Sequence, residues 1–227
     1  MKGTFHVPFL LFTLLLAVAV VGCSTHPGGF SINDKPAKVL IIGDSISIGY
    51  TPHVAMELKN LAVIKHNPGN AQHTGVGLDN IDAWIGDNKW DIIHFNFGLW
   101  DMCYRKPGLV RDKADGQLTT TPEQYEKNLD QLVSRLKQTG ASLIWANTTY
   151  VPDGETGRFA GDDIKYNAIA AKVMRKHDVA INDLHTLTAN FPVLLFIEPA
   201  NVHYTNDGYA IIAEQVSTAI LNGLSEK

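Results

Sequence analysis

Five short, almost wholly apolar runs, at residues 39–42, 62–64, 92–97, 143–146 and 179–181, constrain this chain most, because longer segments of helical period separate them. Continuous apolar strands alternating with helices predict a parallel sheet covered on both faces, since each crossover helix must pack back onto it. The helical segments carry their own start signals. Thr121 can cap, Pro122 suits a first turn and Gln124 closes a capping box, ahead of a stripe of Tyr125, Leu129, Leu132, Val133 and Leu136 that ends before Gly140. Asp162 or Asp163 opens a second helix running to His177, and Thr205 opens a last one carrying Tyr209, Ile212, Ala213 and Val216. A helix is also expected from about Ile48 to Leu58. The expected architecture is an α/β three-layer sandwich with a five-stranded parallel sheet.

The first 22 residues differ from the rest. Lys2 is their only charge, and residues 7–21 are apolar apart from Pro8 and Thr13, which is the pattern of a secretory signal. The stretch ends in Val20-Val21-Gly22-Cys23 and resembles the lipobox of bacterial lipoproteins, so residues 1–22 are expected to be removed and Cys23 to carry lipid. A removed signal without lipid and an uncleaved anchor are the alternatives, although fifteen apolar residues are short for a bilayer span. Ser24 after the cysteine resembles the pattern exported to the outer membrane. Residues 23–37 have little to bury and read as a flexible tether, leaving 38–227 as one folded domain.

Composition narrows the partners. The formal net charge is -4 and no run of five or more basic residues occurs, so nucleic acid is not an expected partner. With two cysteines, one of them expected to be lipidated, no disulfide framework forms. None of the nine histidines has metal-ligand spacing to another, and no cofactor is expected. Oligomeric state is not legible.

Ser45 follows the first strand and precedes a helix, in Gly43-Asp44-Ser45, so its hydroxyl is expected at the crevice where the strands' carboxyl ends meet, near the positive end of a helix. A serine hydroxyl needs a base to act as a nucleophile, and His203, about twenty residues before the C-terminus in Asn201-Val202-His203-Tyr204-Thr205, is the candidate. Taken singly, Asp44 or Ser45 as a helix cap and His203 as an ordinary surface residue are the simpler readings.

Together, residues 39–47, Gly98-Leu99-Trp100-Asp101, and His203 with Thr205 and Gly208-Tyr209 make the chain resemble the GDSL, or SGNH, hydrolases over roughly residues 38–221. The resemblance implies a flavodoxin-like α/β/α sandwich and an esterase with Ser45 as nucleophile and His203 as base. In that family an aspartate three residues before the histidine orients it; here that position is Ala200, with Glu198 and Asn201 as candidate replacements, and a Ser45–His203 dyad as the remaining option. The family's oxyanion hole joins the serine N–H to a glycine N–H after the second strand and an asparagine side chain after the third. Here the glycine position falls on Gln72, with Gly69 as the competing placement, and Trp100 stands at the asparagine position, followed by Asp101. Any non-proline residue keeps the backbone donor.

The resulting expectation is a carboxylic ester hydrolase acting through an acyl-enzyme, tethered to the cell envelope, that removes short acyl or acetyl groups from a carbohydrate or other acylated small molecule. A thioesterase or lysophospholipase would use the same site. The alternative from another class is a catalytically silent envelope protein that binds glycan in the same crevice, motivated by Ala200 and Trp100. The long segment 102–120, with Tyr104, Arg105, Lys106 and Arg111, lies at the crevice end and could supply substrate recognition, as could the glycine-rich segment 153–161 on the same side, although ordinary solvated loops are the simpler reading of both.

Overall fold

The five apolar runs are five parallel strands: β1 (Ala37–Ile42), β2 (Ala62–His66), β3 (Ile92–Phe95), β7 (Ser142–Ala146) and β8 (Ala180–Asn182), in the spatial order β2-β1-β3-β7-β8. This computed structural model describes residues 1–3 and 35–226. The expectations for most of residues 1–22, for Cys23 and for most of the tether lie outside the described residues. The fold is carried by the unit Lys35–Lys227, distinct from Met1–Asp34.

Among the described residues six α-helices accompany the strands: α1 (Ser45–Glu57), α2 (Thr74–Ile85), α3 (Pro122–Lys137), α4 (Asp162–His177), α5 (Leu184–Ala189) and α6 (Asn206–Ser225). α1 packs on α6, and α2, α3 and α4 pack in series. The result is the three-layer α/β/α sandwich with a five-stranded parallel sheet. The central strands explain their composition: Val39, Leu40, Ile41 and Ile42 of β1 and all four residues of β3 are buried, each large apolar side chain contributing roughly 1.5–3 kcal/mol. Thr121 caps α3 by accepting from Gln124 N, and the stripe Tyr125, Leu129, Leu132, Val133 and Leu136 is buried as its period requires.

The strand order fixes where a ligand binds. After β1 the chain crosses outward to β2 and then returns past β1 to β3, so the connections leaving β1 and β3 part in opposite directions and open a crevice at their carboxyl ends. Between β3 and α3 the chain builds a second, antiparallel sheet, β5-β4-β6, from β4 (Tyr104–Lys106), β5 (Val110–Arg111) and β6 (Gln117–Leu118). The segment expected to be a loop is therefore partly a small sheet. Its strands are two or three residues long and bury none of their side chains fully, so no alternation marks them in the sequence.

Candidate active site

Ser45 is the first residue of α1, three positions beyond the last residue of β1. Asp44 caps the helix, its Oδ1 accepting from Ile46 N at 2.9 Å, which leaves the Ser45 N–H among the first-turn donors that have no intrahelical acceptor. The Ser45 hydroxyl donates to His203 Nε2 at 2.8 Å, across 158 residues of sequence. His203 is carried by the segment before α6, whose cap Thr205 accepts from Gly208 N at 3.3 Å.

The third group is the amide of Asn201. Its Oδ1 accepts from the backbone N–H of His203 at 3.0 Å and lies 2.8 Å from His203 Nδ1. Because a backbone N–H only donates, the first contact fixes the oxygen end of the amide, and Nδ1 must then carry the imidazole proton. Nε2 is left as an acceptor facing Ser45, the tautomer a general base needs. Asn201 reaches this place because Ala200 takes a left-handed backbone conformation (φ 61°) and Ile197 N donates to His203 O at 3.1 Å, closing the turn. Glu198, the other candidate, is exposed, and its side chain makes no hydrogen bond among the described residues; only its carbonyl takes part, accepting from Asn201 N at 3.3 Å. Burial, with Arg111 and Arg158 nearby, holds the His203 pKa below the ordinary 6.5, and Glu155 opposes them.

The expected oxyanion residues separate. Gln72 has a left-handed backbone (φ 55°), and its N–H is already taken by Asn70 Oδ1 at 2.8 Å. Gly69 lies in a neighbouring groove with Ile48, Pro52 and His66, and its carbonyl accepts from Asn67. Asp101 is fully buried: its carboxylate accepts from Thr74 N at 3.0 and 3.2 Å and from Thr74 Oγ1 at 2.6 Å, tying the start of α2 to the turn after β3. Burial pushes its pKa up to about 7. Asp101 therefore positions the loop rather than facing the cleft, because the tight turn directs its side chain inward. Trp100 does line the cleft with Ser45, but the Arg105 guanidinium lies 3.9 Å above its ring, a cation–π arrangement that occupies one aromatic face. The turn that presents Trp100 needs Gly98, where φ is 143° and a Cβ would stand 2.0 Å from Thr148 Oγ1.

Sequence reasoning did not single out Asn70. It lines the cleft beside Ser45, and with Oδ1 committed to Gln72 N its NH₂ group has no partner among the described residues.

Of the other wall, the sequence points to Arg105 and Arg111 at the crevice end but not to Arg158 or Glu155. Arg105, Arg111 and Arg158 all line the same cleft of about 470 Å³, a size usual for small-molecule sites. Glu155, 1% exposed, holds two of them: its Oε1 accepts from Arg111 Nη1 at 3.0 Å and Arg158 Nη1 at 3.1 Å, and Oε2 from Gly157 N at 2.7 Å. Arg158 Nε donates to Leu99 O at 2.6 Å. Gly157 is required by packing, since a Cβ there would come 2.8 Å from Cys103 Sγ and 2.9 Å from Arg111 Cβ. The signal available in the sequence was only an acid and two arginines in separate polar segments.

No family model matches the chain, and no curated protein matches it. Solved structures do. An acetyl xylan esterase aligns at 17% identity over 81% of this chain and 99% of its own, with a TM-score of 0.65. A lipase/acylhydrolase from Enterococcus faecalis aligns at 18% identity over 81% and 95%, TM-score 0.67, and an acetyl xylan esterase variant from Geobacillus stearothermophilus at 16% over 83% and 94%, TM-score 0.63. At these identities the likeness is one of fold, and the fold of this chain is the α/β/α sandwich on which those esterases and acylhydrolases are built.

Proposed function

We propose that the protein is a serine-dependent carboxylic ester hydrolase that removes short acyl groups, acetyl foremost, from a carbohydrate or other acylated small molecule. The observation that carries this reading is the 2.8 Å Ser45 Oγ–His203 Nε2 hydrogen bond at the switch point of the sheet, backed by Asn201. Ser45 Oγ attacks the ester carbonyl while its proton passes to His203 Nε2; the tetrahedral intermediate collapses as His203 returns that proton to the leaving alcohol, giving an acyl-Ser45 that water resolves with the same base. The Ser45 N–H and the Asn70 NH₂ are the donors for the oxyanion, Asn70 replacing the asparagine that Trp100 displaces. The similarity in fold to acetyl xylan esterases supports the short-acyl preference. The lipobox-like Val20-Val21-Gly22-Cys23 supports an envelope lipoprotein anchored through Cys23.

One observation favours a second reading, a silent glycan-binding protein: the group behind His203 is a neutral amide, so an imidazolium formed during turnover has no adjacent carboxylate. A fluorophosphonate probe separates the two. Labelling of the wild type and not of Ser45→Ala is expected; absence of labelling in both at pH 8 ends the hydrolase reading. A series of 4-nitrophenyl esters of rising chain length then tests the short-acyl preference, and fatty-acid labelling lost in Cys23→Ser tests the anchor.

A further inference from the structure

The arginine wall has more positive charge than it uses internally. Three guanidiniums face one cleft, and the single carboxylate between them is saturated, its two oxygens taken by Arg111, Arg158 and Gly157 N. Lys113 Nζ adds a further cation beside this cluster, donating to Glu155 O at 2.6 Å. The acid that lines the cleft, Asp44, is buried and spends Oδ1 on capping α1; desolvation raises its pKa, while the Ile46 N–H and the Arg158 charge oppose that rise. Arg105 donates from Nη1 to Leu109 O, and its buried Nε has no partner. The Nη2 groups of Arg111 and Arg158 likewise have none among the described residues. This local excess of cations occurs in a chain of net charge -4, so it is a feature of the cleft and not of the surface at large.

The side of the cleft on which the excess lies is also defined. Arg111 and Arg158 are the cations whose fields reach His203. The segment carrying Glu155 and Arg158 abuts the turn that carries His203, since a Cβ on Gly154 would stand 3.3 Å from the Ala200 Cβ. In the proposed mechanism His203 hands its proton to the leaving oxygen, so this is the side of the departing alcohol.

We propose that the alcohol part of the substrate carries a carboxylate, as in an O-acylated uronic acid, and that the free Nη donors of Arg111 and Arg158 bind it. Guanidinium forks match a planar carboxylate in two parallel hydrogen bonds, and charge-assisted bonds in a partly enclosed cleft are strong enough to select for it. The proposal rests on the hydrolase reading for the orientation of the substrate, while the anion site stands on the arginines.

The test compares the monoacetates of methyl glucuronoside and methyl glucoside, with a sulfated methyl glucoside monoacetate as a third arm. Wild-type kcat/KM is expected to be about tenfold or more higher for the glucuronoside than for the glucoside, the ratio falling with added salt and dropping toward unity in Arg111→Gln. A ratio at or below one in the wild type, a ratio unchanged in Arg111→Gln, or preference for the sulfated sugar over the glucuronoside overturns it. Calorimetry on Ser45→Ala with deacetylated methyl glucuronoside and methyl glucoside separates the two failures. If no ester is cleaved yet the glucuronoside binds preferentially and loses that preference in Ser45→Ala/Arg111→Gln, the hydrolase reading fails and the carboxylate site stands. Equal binding of the two glycosides removes the site.

Discussion

The wall of the cleft that holds Ser45 hangs on strand ends and a helix N-terminus, whereas the wall that holds the arginines is made of short strands and turns joined by charge. On the first, burial does the positioning: β1 drives into the core with four consecutive buried residues, and Ser45 follows where its register leaves it. On the second, a buried carboxylate does it: Glu155 collects Arg111 from the small sheet and Arg158 from the 153–161 segment, which share no apolar stripe. Chemistry placed by the core tolerates changes in the reacting side chain itself, while recognition placed by an ion cluster depends on every member of the cluster.

The sharpest way to break this contrast is Ser45→Ala, expected to lower turnover of 4-nitrophenyl acetate roughly 10⁴-fold or more while leaving the thermal midpoint nearly unchanged; a large loss of stability would show that the nucleophile wall is not held by the core alone. Glu155→Gln should do the reverse. Breaking the pair with Arg158, in which both side chains are buried (3% and 1% exposed), is expected to cost about 3 kcal/mol in denaturant unfolding, and a loss under 1 kcal/mol would mean the arginines hold themselves. Asn70→Ala is expected to lower kcat roughly 100-fold with little change in KM; an effect confined to KM would move Asn70 from the oxyanion to substrate binding. Asn201→Asp is expected to raise kcat about tenfold by placing charge beside the imidazolium. The same variant bears on pH dependence. His203 acts as a base when neutral, and its pKa lies below 6.5, so wild-type activity should persist below that pH and fall only as His203 protonates; Asn201→Asp should move this acid limb upward, and an unmoved limb would show that another group controls it.

The same contrast explains what the sequence made legible. Strands at 39–42 and 143–146 are recoverable because burial on both faces writes a continuous apolar run, and α3 because its cap and stripe agree. α2 escaped because Gly75 and Gly77 sit in its first turns; Gly77 is there for packing, a Cβ at that position standing 2.7 Å from the Phe97 ring, and that reason is tertiary. Ser45 and His203 could be paired from the sequence because each sits at the start of a helix with a recognisable setting. Asn201 was distinguishable from Glu198 only once the left-handed turn at Ala200 was known. Asp101, expected in the cleft, faces Thr74, and Gln72 spends its N–H on Asn70; both depend on which way a short turn points, which residue type does not encode. Arg105 and Arg111 were legible only as charges at the crevice end, and their union with Arg158 was not, because the two arginines of the pair lie 44 and 3 residues from Glu155 and meet through a carboxylate rather than a periodic face.

The segment bearing the small sheet leaves and rejoins the body at one place: Thr119 N donates to Cys103 O and Thr120 N to Asp101 O, each at 3.0 Å. Its two ends are thus neighbours, and the strand order of the main sheet does not pass through it. Residues 104–118 form an excursion whose exchange would not reroute the main sheet, but which is docked on the 153–161 segment through Tyr104 N to Gly157 O, Lys113 N to Thr156 O and the Arg111–Glu155 pair, so the two segments can be revised only together. Under the proposed hydrolase reading, a lineage built on this scaffold would revise its choice of alcohol in these two segments together, while the strand ends that carry Ser45 need not be rebuilt.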